Sequence, residues 1–179
     1  YDSHSVKFDE MLACLGKIGS GDVVLLHGCC HNPCGADLNQ EQWQQIRDVA
    51  LKQGFTVFVD LAYQGLGDGL EEDVYGTRLL AESLPELIVV TSCSKNFGLY
   101  RERTGAMTLI SQNEASAAVA TTQIAAAARA MYSMPPDHGA AIVQLILSDD
   151  ALRTEWDAEL TQMRDRINGL RAQFVTQIQ

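Results

Sequence analysis

Apolar positions in the first 110 residues alternate between short continuous runs and a spacing of three and four. The runs predict buried strands at 23–27, 56–61, 87–91 and 105–110. Between them, Asn39 can cap a helix that carries Trp43, Ile46 and Ala50 on its inner face and stops at Gly54. A second helix is predicted from 71 to about 83. Strands separated by helices of this length predict an α/β fold with a mainly parallel sheet flanked by helices.

The last third of the chain has a helical pattern. Ser111 to Glu114 has the form of a capping box before an alanine-rich helix that ends near Ala130. Pro135 and Pro136 are expected to open the next helix. Apolar residues then recur at steps of three and four, which predicts one amphipathic helix of roughly 28 residues from about position 150.

We expect that last helix to bridge two bodies, because few globular helices are so long. Its apolar stripe should be exposed until a second body covers it; the stripe is Leu160, Met163, Ile167, Leu170, Phe174 and Ile178. The chain starts at Tyr1 and stops at Gln179 inside this helical pattern. We therefore expect a piece of a longer protein, cut at both ends.

Composition narrows the classes of partner. Of the 179 residues, 46% are hydrophobic and 20% are charged, as in ordinary globular domains. A formal net charge of -10 argues against nucleic acid or an anionic membrane surface as the main partner. No apolar stretch approaches the roughly 20 residues of a membrane span. The five cysteines are odd in number and form no disulfide framework, which favours reduced thiols in a cytoplasmic protein.

Candidate chemistry lies at the carboxyl ends of the predicted strands, where open α/β sheets bind ligands. Polar residues lie at or just after the ends of the first three strands or just before the fourth: Asn32, Asp60, Tyr63, Ser92, Ser94, Lys95 and Arg103. They offer an amine nucleophile, a carboxylate, a phenol, an amide, hydroxyls and a guanidinium. A pyridoxal 5'-phosphate site requires that inventory: a lysine amine, a carboxylate for the ring nitrogen and a cradle for the phosphate.

Two other patterns are weaker. A histidine and cysteine cluster resembles a metal site: His27, Cys29, Cys30, His31 and Cys34. We predict no metal, because adjacent cysteines should point to different sides of an extended chain and no second ligand pair follows. The stretch from Gly65 to Gly69 imitates a dinucleotide-binding loop, but its third glycine comes one position early.

Five motifs, in order along the chain, resemble class I aminotransferases, and the aspartate and aromatic-amino-acid subgroup most closely. They are His27-Gly-Cys-Cys-His-Asn-Pro-Cys-Gly35, Asp60-Leu-Ala-Tyr-Gln-Gly65, Ser92-Cys-Ser-Lys-Asn-Phe-Gly-Leu-Tyr100, Arg103-Thr-Gly105 and Arg129-Ala-Met-Tyr-Ser-Met-Pro-Pro136. The resemblance implies the large domain of the fold-type I pyridoxal-phosphate transferases. Residues 1–150 would be its second half, and residues 151–179 would begin the helix into a small domain.

The resemblance also implies residue roles. Lys95 would hold the cofactor as a Schiff base and shuttle the proton, while Asp60 would pair with the ring nitrogen. Tyr63 and Asn32 would bond the cofactor's phenolic oxygen, and Asn32 would also touch the substrate's α-carboxylate. The phosphate would be held by Ser92, Ser94 and Arg103. The Asn32-Pro33 bond is expected to be cis. Arg129 would cross a homodimer interface to the substrate's side-chain carboxylate in the partner's site.

The implied reaction transfers the amino group of an L-amino acid, with aspartate or glutamate favoured, to a 2-oxo acid. The alternative is an aromatic donor with 2-oxoglutarate as acceptor. A decarboxylase or lyase of the same fold, or a non-catalytic fragment, is the more distant reading. Two residues depart from the subgroup, Cys34 where threonine is usual and Met134 where asparagine or serine is commoner. Arg103 could instead pair with Glu102, and Arg129 could simply complement a helix dipole.

Overall fold

The computed structural model describes residues 5–178 and contains six α-helices and four strands within that range. The strands are β1 (Val23–His27), β2 (Thr56–Leu61), β3 (Leu87–Ser92) and β4 (Gly105–Ile110). The helices are α1 (Phe8–Leu15), α2 (Gln40–Gln53), α3 (Tyr75–Ser83), α4 (Glu114–Tyr132), α5 (His138–Ser148) and α6 (Asp150–Ile178). A short 3₁₀ turn, Glu72–Val74, precedes α3.

One sheet with the order β1-β2-β3-β4 organises the chain. The first three strands are parallel and β4 pairs antiparallel with β3, so the predicted mainly parallel sheet is confirmed. Three strands have the predicted bounds, and β3 extends one residue further, to Ser92.

Helix α2 shows how local sequence sets the elements. The Asn39 side chain accepts a hydrogen bond from the Gln42 N–H, and the Gln42 side chain accepts one from the Asn39 N–H. This capping box satisfies two amides that the helix leaves free. At the other end, Gly54 takes the left-handed conformation (φ 76°) that a β-carbon would disfavour. The predicted inner face, Trp43, Ile46 and Ala50, is buried as expected.

The two faces of the sheet differ. On the covered face, six side chains pack against α1, α2 and α3: Val24, Leu26, Val57, Val59, Leu87 and Val89. On the open face, the alternate side chains are half-buried or exposed: Val23, Leu25, His27, Thr56, Phe58, Asp60, Ile88 and Val90. The close approach of α2 to α3 requires Gly76, because a β-carbon there would collide with the Trp43 indole.

Two predicted helix starts were wrong. Helix α4 is capped by Asn113, whose side chain accepts from the Ser116 N–H at 2.9 Å, and Ser111 lies outside the cap. Asparagine serves as well as serine at this position, so the pattern alone could not choose between them. Helix α5 begins at His138, two residues beyond the proline pair. Helix α6 has the predicted length, with 29 residues.

The predicted exposed stripe of α6 was wrong at Leu160. Its side chain is fully buried against Leu70 and Gly65, which has no side chain and a φ of 89°. The remaining stripe residues are exposed, from Met163 to Ile178. Within residues 5–178, no helix is long and apolar enough to cross a membrane.

Candidate active site

The carboxyl ends of β1, β2 and β3 bring the candidate residues to one edge of the sheet. His27 is the register partner of Asp60, and Asp60 is the partner of Val90, two residues before Ser92. Partners in parallel strands project to the same face, so His27 and Asp60 share the open face. The Gly28 N–H donates to the Asp60 carbonyl at 2.8 Å and continues the β1–β2 pairing past the end of β1.

Asp60 presents a free carboxylate at this edge. Its side chain is half-buried, and no hydrogen bond or ion pair joins the carboxylate to another residue in the described range. A partly buried anion without a partner is costly. It therefore suits a cationic group that arrives with a ligand.

Lys95 and Tyr63 meet across the ends of β2 and β3. The Lys95 Nζ lies 4.6 Å from the centre of the Tyr63 ring, which is cation–π distance. The ammonium has no carboxylate partner among residues 5–178. The turn that carries it is closed by the Gly98 N–H, which donates to the Lys95 carbonyl at 3.2 Å, and by the Leu99 N–H, which donates to the Cys93 carbonyl at 3.3 Å.

Hydroxyl groups lie just before Lys95. The buried Ser94 donates its N–H to the Ser92 Oγ at 3.2 Å. Because Ser92 accepts that bond, its own O–H is free to donate to an anion. Arg103 is exposed, has a φ of 54°, and donates one guanidinium N–H to the Tyr100 carbonyl at 3.0 Å. Glu102 contacts His138 Nδ1 at 2.9 Å, so the alternative pairing of Arg103 with Glu102 is wrong.

The turn after β1 carries Asn32 and the histidine and cysteine cluster. The Asn32-Pro33 bond is cis, as predicted. The Asn32 N–H donates to His27 Nδ1 at 3.2 Å, which leaves the exposed Asn32 side chain available. The His27 and His31 rings stack at 4.5 Å, and Cys34 Sγ lies 2.9 Å from His31 Nδ1.

Adjacent cysteines in this turn do not point to different sides, so that expectation was wrong. Cys30 has a φ of 49°, and with this turned backbone both cysteines lie in one apolar cluster with Leu61 and Val74. A hydrogen bond that the Cys29 thiol donates to Cys30 raises the pKa of Cys29 and lowers the pKa of Cys30. Across residues 5–178, no group of three or more His, Cys, Asp or Glu side chains could hold a metal ion.

The glycine-rich loop after Tyr63 folds around an internal anion. Asp73, 7% exposed, accepts the N–H groups of Gly65 at 2.7 Å, Gly67 at 3.0 Å, Asp68 at 2.8 Å and Gly69 at 3.5 Å. Because these amides already bind a carboxylate, they are not free to hold a dinucleotide phosphate. The sequence analysis missed Asp73; the only available signal was an acidic residue four positions after a run of glycines.

Arg129 stands apart from the other candidates. It lies in the last turn of α4, where a cation complements the helix dipole, and its side chain is exposed. Within residues 5–178 it forms no hydrogen bond or ion pair with the residues at the sheet edge. Met134, nearby in sequence, is 73% exposed. A single chain in this range therefore assembles the edge without Arg129.

The chain matches the family described as aminotransferase class I and II over residues 1–179, and it belongs to that family. It is 49% identical to the aspartate aminotransferase of Escherichia coli, covering 99% of this chain and 45% of that protein. It is 46% identical to the aromatic-amino-acid aminotransferase of Paracoccus denitrificans, again covering 99% of this chain and 45% of that protein. The chain thus spans less than half the length of these relatives.

Solved structures agree with the fold. The aromatic-amino-acid aminotransferase of Burkholderia pseudomallei, covalently bound to pyridoxal phosphate, aligns with a TM-score of 0.92 at 43% identity. The alignment covers 95% of this chain and 43% of that one. The predicted α/β fold with a mainly parallel sheet flanked by helices is confirmed, and a solved aminotransferase shares it.

Proposed function

We propose that the protein is a pyridoxal-phosphate-dependent aminotransferase that transfers the amino group of an L-amino acid to a 2-oxo acid, with aspartate or glutamate as the favoured donor. One observation carries the proposal: the edge of the sheet presents the Lys95 amine over the Tyr63 ring and, on the neighbouring strand end, the unpaired Asp60 carboxylate. Relatives named as aspartate and aromatic-amino-acid aminotransferases support it.

The residues present fit pyridoxal phosphate. The cofactor needs a lysine amine that is not neutralised by an ion pair, and Lys95 meets that need within the described range. It also needs an anion for its ring nitrogen, and the free Asp60 carboxylate supplies one. When bound, the cofactor supplies a ring that accepts the electron pair left when the substrate's Cα–H bond breaks.

Each residue would then have a defined task. Lys95 Nζ would hold the cofactor and, once released by substrate, move the proton from the substrate's Cα. Asp60 would hold the proton on the ring nitrogen, since an anion beside a protonated nitrogen favours the charged form. Tyr63 and Asn32 would donate to the phenolic oxygen, and Asn32 would also contact the substrate's α-carboxylate.

Phosphate binding would use the groups just before Lys95 and the guanidinium of Arg103. The Ser92 O–H is free to donate, as described above, and Ser94, whose N–H donates to the Ser92 Oγ, would supply a second hydroxyl. Arg103 uses one of its five N–H groups on Tyr100, which leaves donors for a phosphate oxygen. These residues would hold the phosphate together with the parts of the protein outside this chain.

The larger organisation is also proposed. Residues 1–150 would form the second half of the cofactor-binding domain, and residues 151–179 would lead into a small domain. Arg129, exposed and without a site contact in the described part of the chain, would reach the substrate carboxylate in the partner's site of a homodimer. The five free cysteines favour a cytoplasmic location, where thiols stay reduced.

An aromatic donor with 2-oxoglutarate as acceptor is the second candidate. Relatives of near-equal identity carry aspartate, tyrosine and aromatic-amino-acid names. Met134, exposed near Arg129, supplies an apolar group where the substrate's side chain would lie under the dimer proposal. The ratio of kcat/KM for aspartate to that for phenylalanine decides between the two.

The central test uses the intact protein with pyridoxal phosphate. The protein should be yellow, lose its colour on borohydride reduction and yield a labelled peptide that maps to Lys95. Replacing Lys95 with alanine should abolish the label and lower transamination by about 10³-fold or more, since nucleophile and proton carrier are lost together. Undiminished transamination by Lys95→Ala would end the proposal.

A further inference from the structure

Helix α6 binds the turn that carries Lys95. The Trp156 indole N–H donates to the Asn96 carbonyl at 2.8 Å. The same indole stacks on the Phe97 ring, with centroids 4.5 Å apart and planes 11° apart. Asn96 and Phe97 are the two residues directly after Lys95. One side chain of α6 therefore holds the turn by both a hydrogen bond and an aromatic face.

The same helix holds the loop after Tyr63. Arg164 and Asn168 donate to the carbonyls of Gly65 at 3.5 Å and Gly67 at 3.0 Å. Leu160, fully buried, packs against Gly65 between these contacts. The two loops are also joined directly, because Asn96 Nδ2 donates to the Gln64 carbonyl at 3.2 Å.

One helix thus contacts both of the loops that carry Lys95 and Tyr63, in addition to the direct bond between those loops. The two backbone bonds that close the Lys95 turn, at 3.2 and 3.3 Å, lie at the long end of the range for N–H···O bonds. We infer that Trp156, which is 60 residues away from Asn96 in sequence, is a positioning residue: it fixes the turn so that the Lys95 amine stays over the Tyr63 ring. The inference rests on the proposed function of Lys95.

The chain offers a matched control, because it contains two tryptophans. Trp156→Phe keeps an aromatic ring for Phe97 but removes the N–H donated to Asn96. Trp43→Phe makes the same substitution in the α2 core, where Trp43 is buried near Gly76 in the cluster on the covered face of the sheet. Trp156→Leu removes both the donor and the stacking ring. All three are made in the intact protein.

Two measurements need no transamination and use the cofactor-free protein. Amide hydrogen exchange, with residues 96–99 resolved by mass spectrometry, reports opening of the turn. Acetylation by a low concentration of acetic anhydride, mapped to Lys95, reports how firmly the amine is held. In Trp156→Phe we expect exchange in the turn to rise about tenfold, the upper end for one lost hydrogen bond, with a larger rise in Trp156→Leu. Lys95 acetylation should also rise several-fold, with a larger rise in Trp156→Leu than in Trp156→Phe.

The loaded enzyme gives a third measurement. If Lys95 is displaced, kcat should fall about tenfold in Trp156→Phe while KM changes less than twofold, because substrate contacts are unaltered. Trp43→Phe should lower Tm and leave the turn's exchange, the acetylation rate and kcat unchanged. If Trp156→Phe and Trp43→Phe behave alike in all three, Trp156 only stabilises the fold and the inference is wrong. If borohydride labelling fails to map to Lys95 while turn exchange still responds to Trp156→Phe, the proposed function fails and the contact from α6 stands.

Discussion

The two faces of the central sheet divide stability from chemistry. Along β2, Val57, Val59 and Leu61 are at most 3% exposed and point to the covered face. Val57 and Val59 belong to the core cluster under the helices, whereas Leu61 packs with Cys29 and Val74. Phe58 and Asp60, which alternate with them, are only half-buried on the open face. A strand repeats every two residues, so one short segment serves both purposes.

The difference explains where the candidate site can exist. An unpaired carboxylate such as that of Asp60 would be very costly under the helices of the covered face. On the open face it can remain partly hydrated within this chain. The open face also leaves apolar groups uncovered, including Leu25 at 58% exposure. Under the proposed function, further protein would cover this surface and complete the site.

The largest expected effect follows from the open face. We predict that residues 1–179 expressed alone are poorly soluble and show no measurable transaminase activity. The reason is the combined exposure of the open face and the α6 stripe, in which Phe174 is 65% exposed. Size-exclusion chromatography, and an assay with pyridoxal phosphate, aspartate and 2-oxoglutarate, would measure both.

The control for this prediction is the intact protein under the same conditions, which should be soluble and active. A monodisperse chain of 179 residues with turnover of about 1–10³ s⁻¹ would contradict the prediction. It would mean that neither the open face nor the stripe needs a cover.

Adjacent residues on β2 allow the two faces to be separated. Asp60→Asn keeps the size and removes the charge, so we expect kcat to fall at least tenfold, since a charge-assisted contact is worth roughly 1.5–3 kcal/mol. Val59→Ala removes buried methyl groups and should lower the free energy of unfolding by about 2 kcal/mol. Urea denaturation and steady-state kinetics on both variants would show two separate losses.

Two outcomes would contradict the separation of stability and chemistry between the two faces. Full kcat in Asp60→Asn would remove the ring-nitrogen role. A tenfold loss of kcat in fully folded Val59→Ala would mean that packing on the covered face controls the site, and that the two faces are not independent.

The sequence predicted what depends on short-range patterns. The strands at 56–61 and 105–110, the cap at Asn39 and the stop at Gly54 all follow from local chemistry, and the structure has them at those residues. The candidate residues at strand ends could be found because parallel strands gather their carboxyl ends at one edge. Errors at Ser111 and the proline pair concern helix starts, where several residues can serve as the cap.

Contacts between distant segments could not be predicted in this way. Leu160 fits the exposed stripe by spacing, yet it is buried because Gly65, in a loop far from it in sequence, leaves room for it. The Trp156 bond to Asn96 spans 60 residues, and no pattern in either segment announces it. Asp73 likewise reads as an ordinary acidic residue until the loop from Gly65 to Gly69 folds around it.

A smaller effect concerns substrate choice, which the open face alone does not decide. If Arg129 binds the substrate's side-chain carboxylate, Arg129→Leu should lower kcat/KM for aspartate by about tenfold to a hundredfold and that for phenylalanine by much less. Arg166→Leu, which removes an exposed arginine from α6, is the control and should affect both substrates equally. Equal losses in Arg129→Leu would make Arg129 a structural residue at the end of α4.

The smallest expected effect concerns the reactivity of two adjacent cysteines just past the end of β1. It tests whether the contrast between buried and open environments extends into this turn. Cys29 is buried with Leu61 and Val74, whereas Cys30 is half-buried. The hydrogen bond from Cys29 is the largest influence on Cys30 and lowers its pKa, outweighing burial and the nearby carboxylates of Asp37 and Asp73, which raise it. A lower pKa means a larger thiolate fraction at pH 7, and the thiolate is the nucleophile.

We therefore expect iodoacetamide at pH 7 to alkylate Cys30 several-fold faster than Cys93, whose pKa is raised by burial. Cys29→Ala removes the donated hydrogen bond, so the pKa of Cys30 should rise and its alkylation at pH 7 should slow. At a pH well above the pKa of Cys30 in both proteins, the variant and the original protein should react alike, because Cys30 is then a thiolate in each. Cys14, exposed on α1, provides the internal control and should react equally in both proteins. Slower alkylation of Cys30 in the variant at every pH would indicate lost access instead of a changed pKa, and unchanged alkylation at pH 7 would show that Cys29 does not control its neighbour.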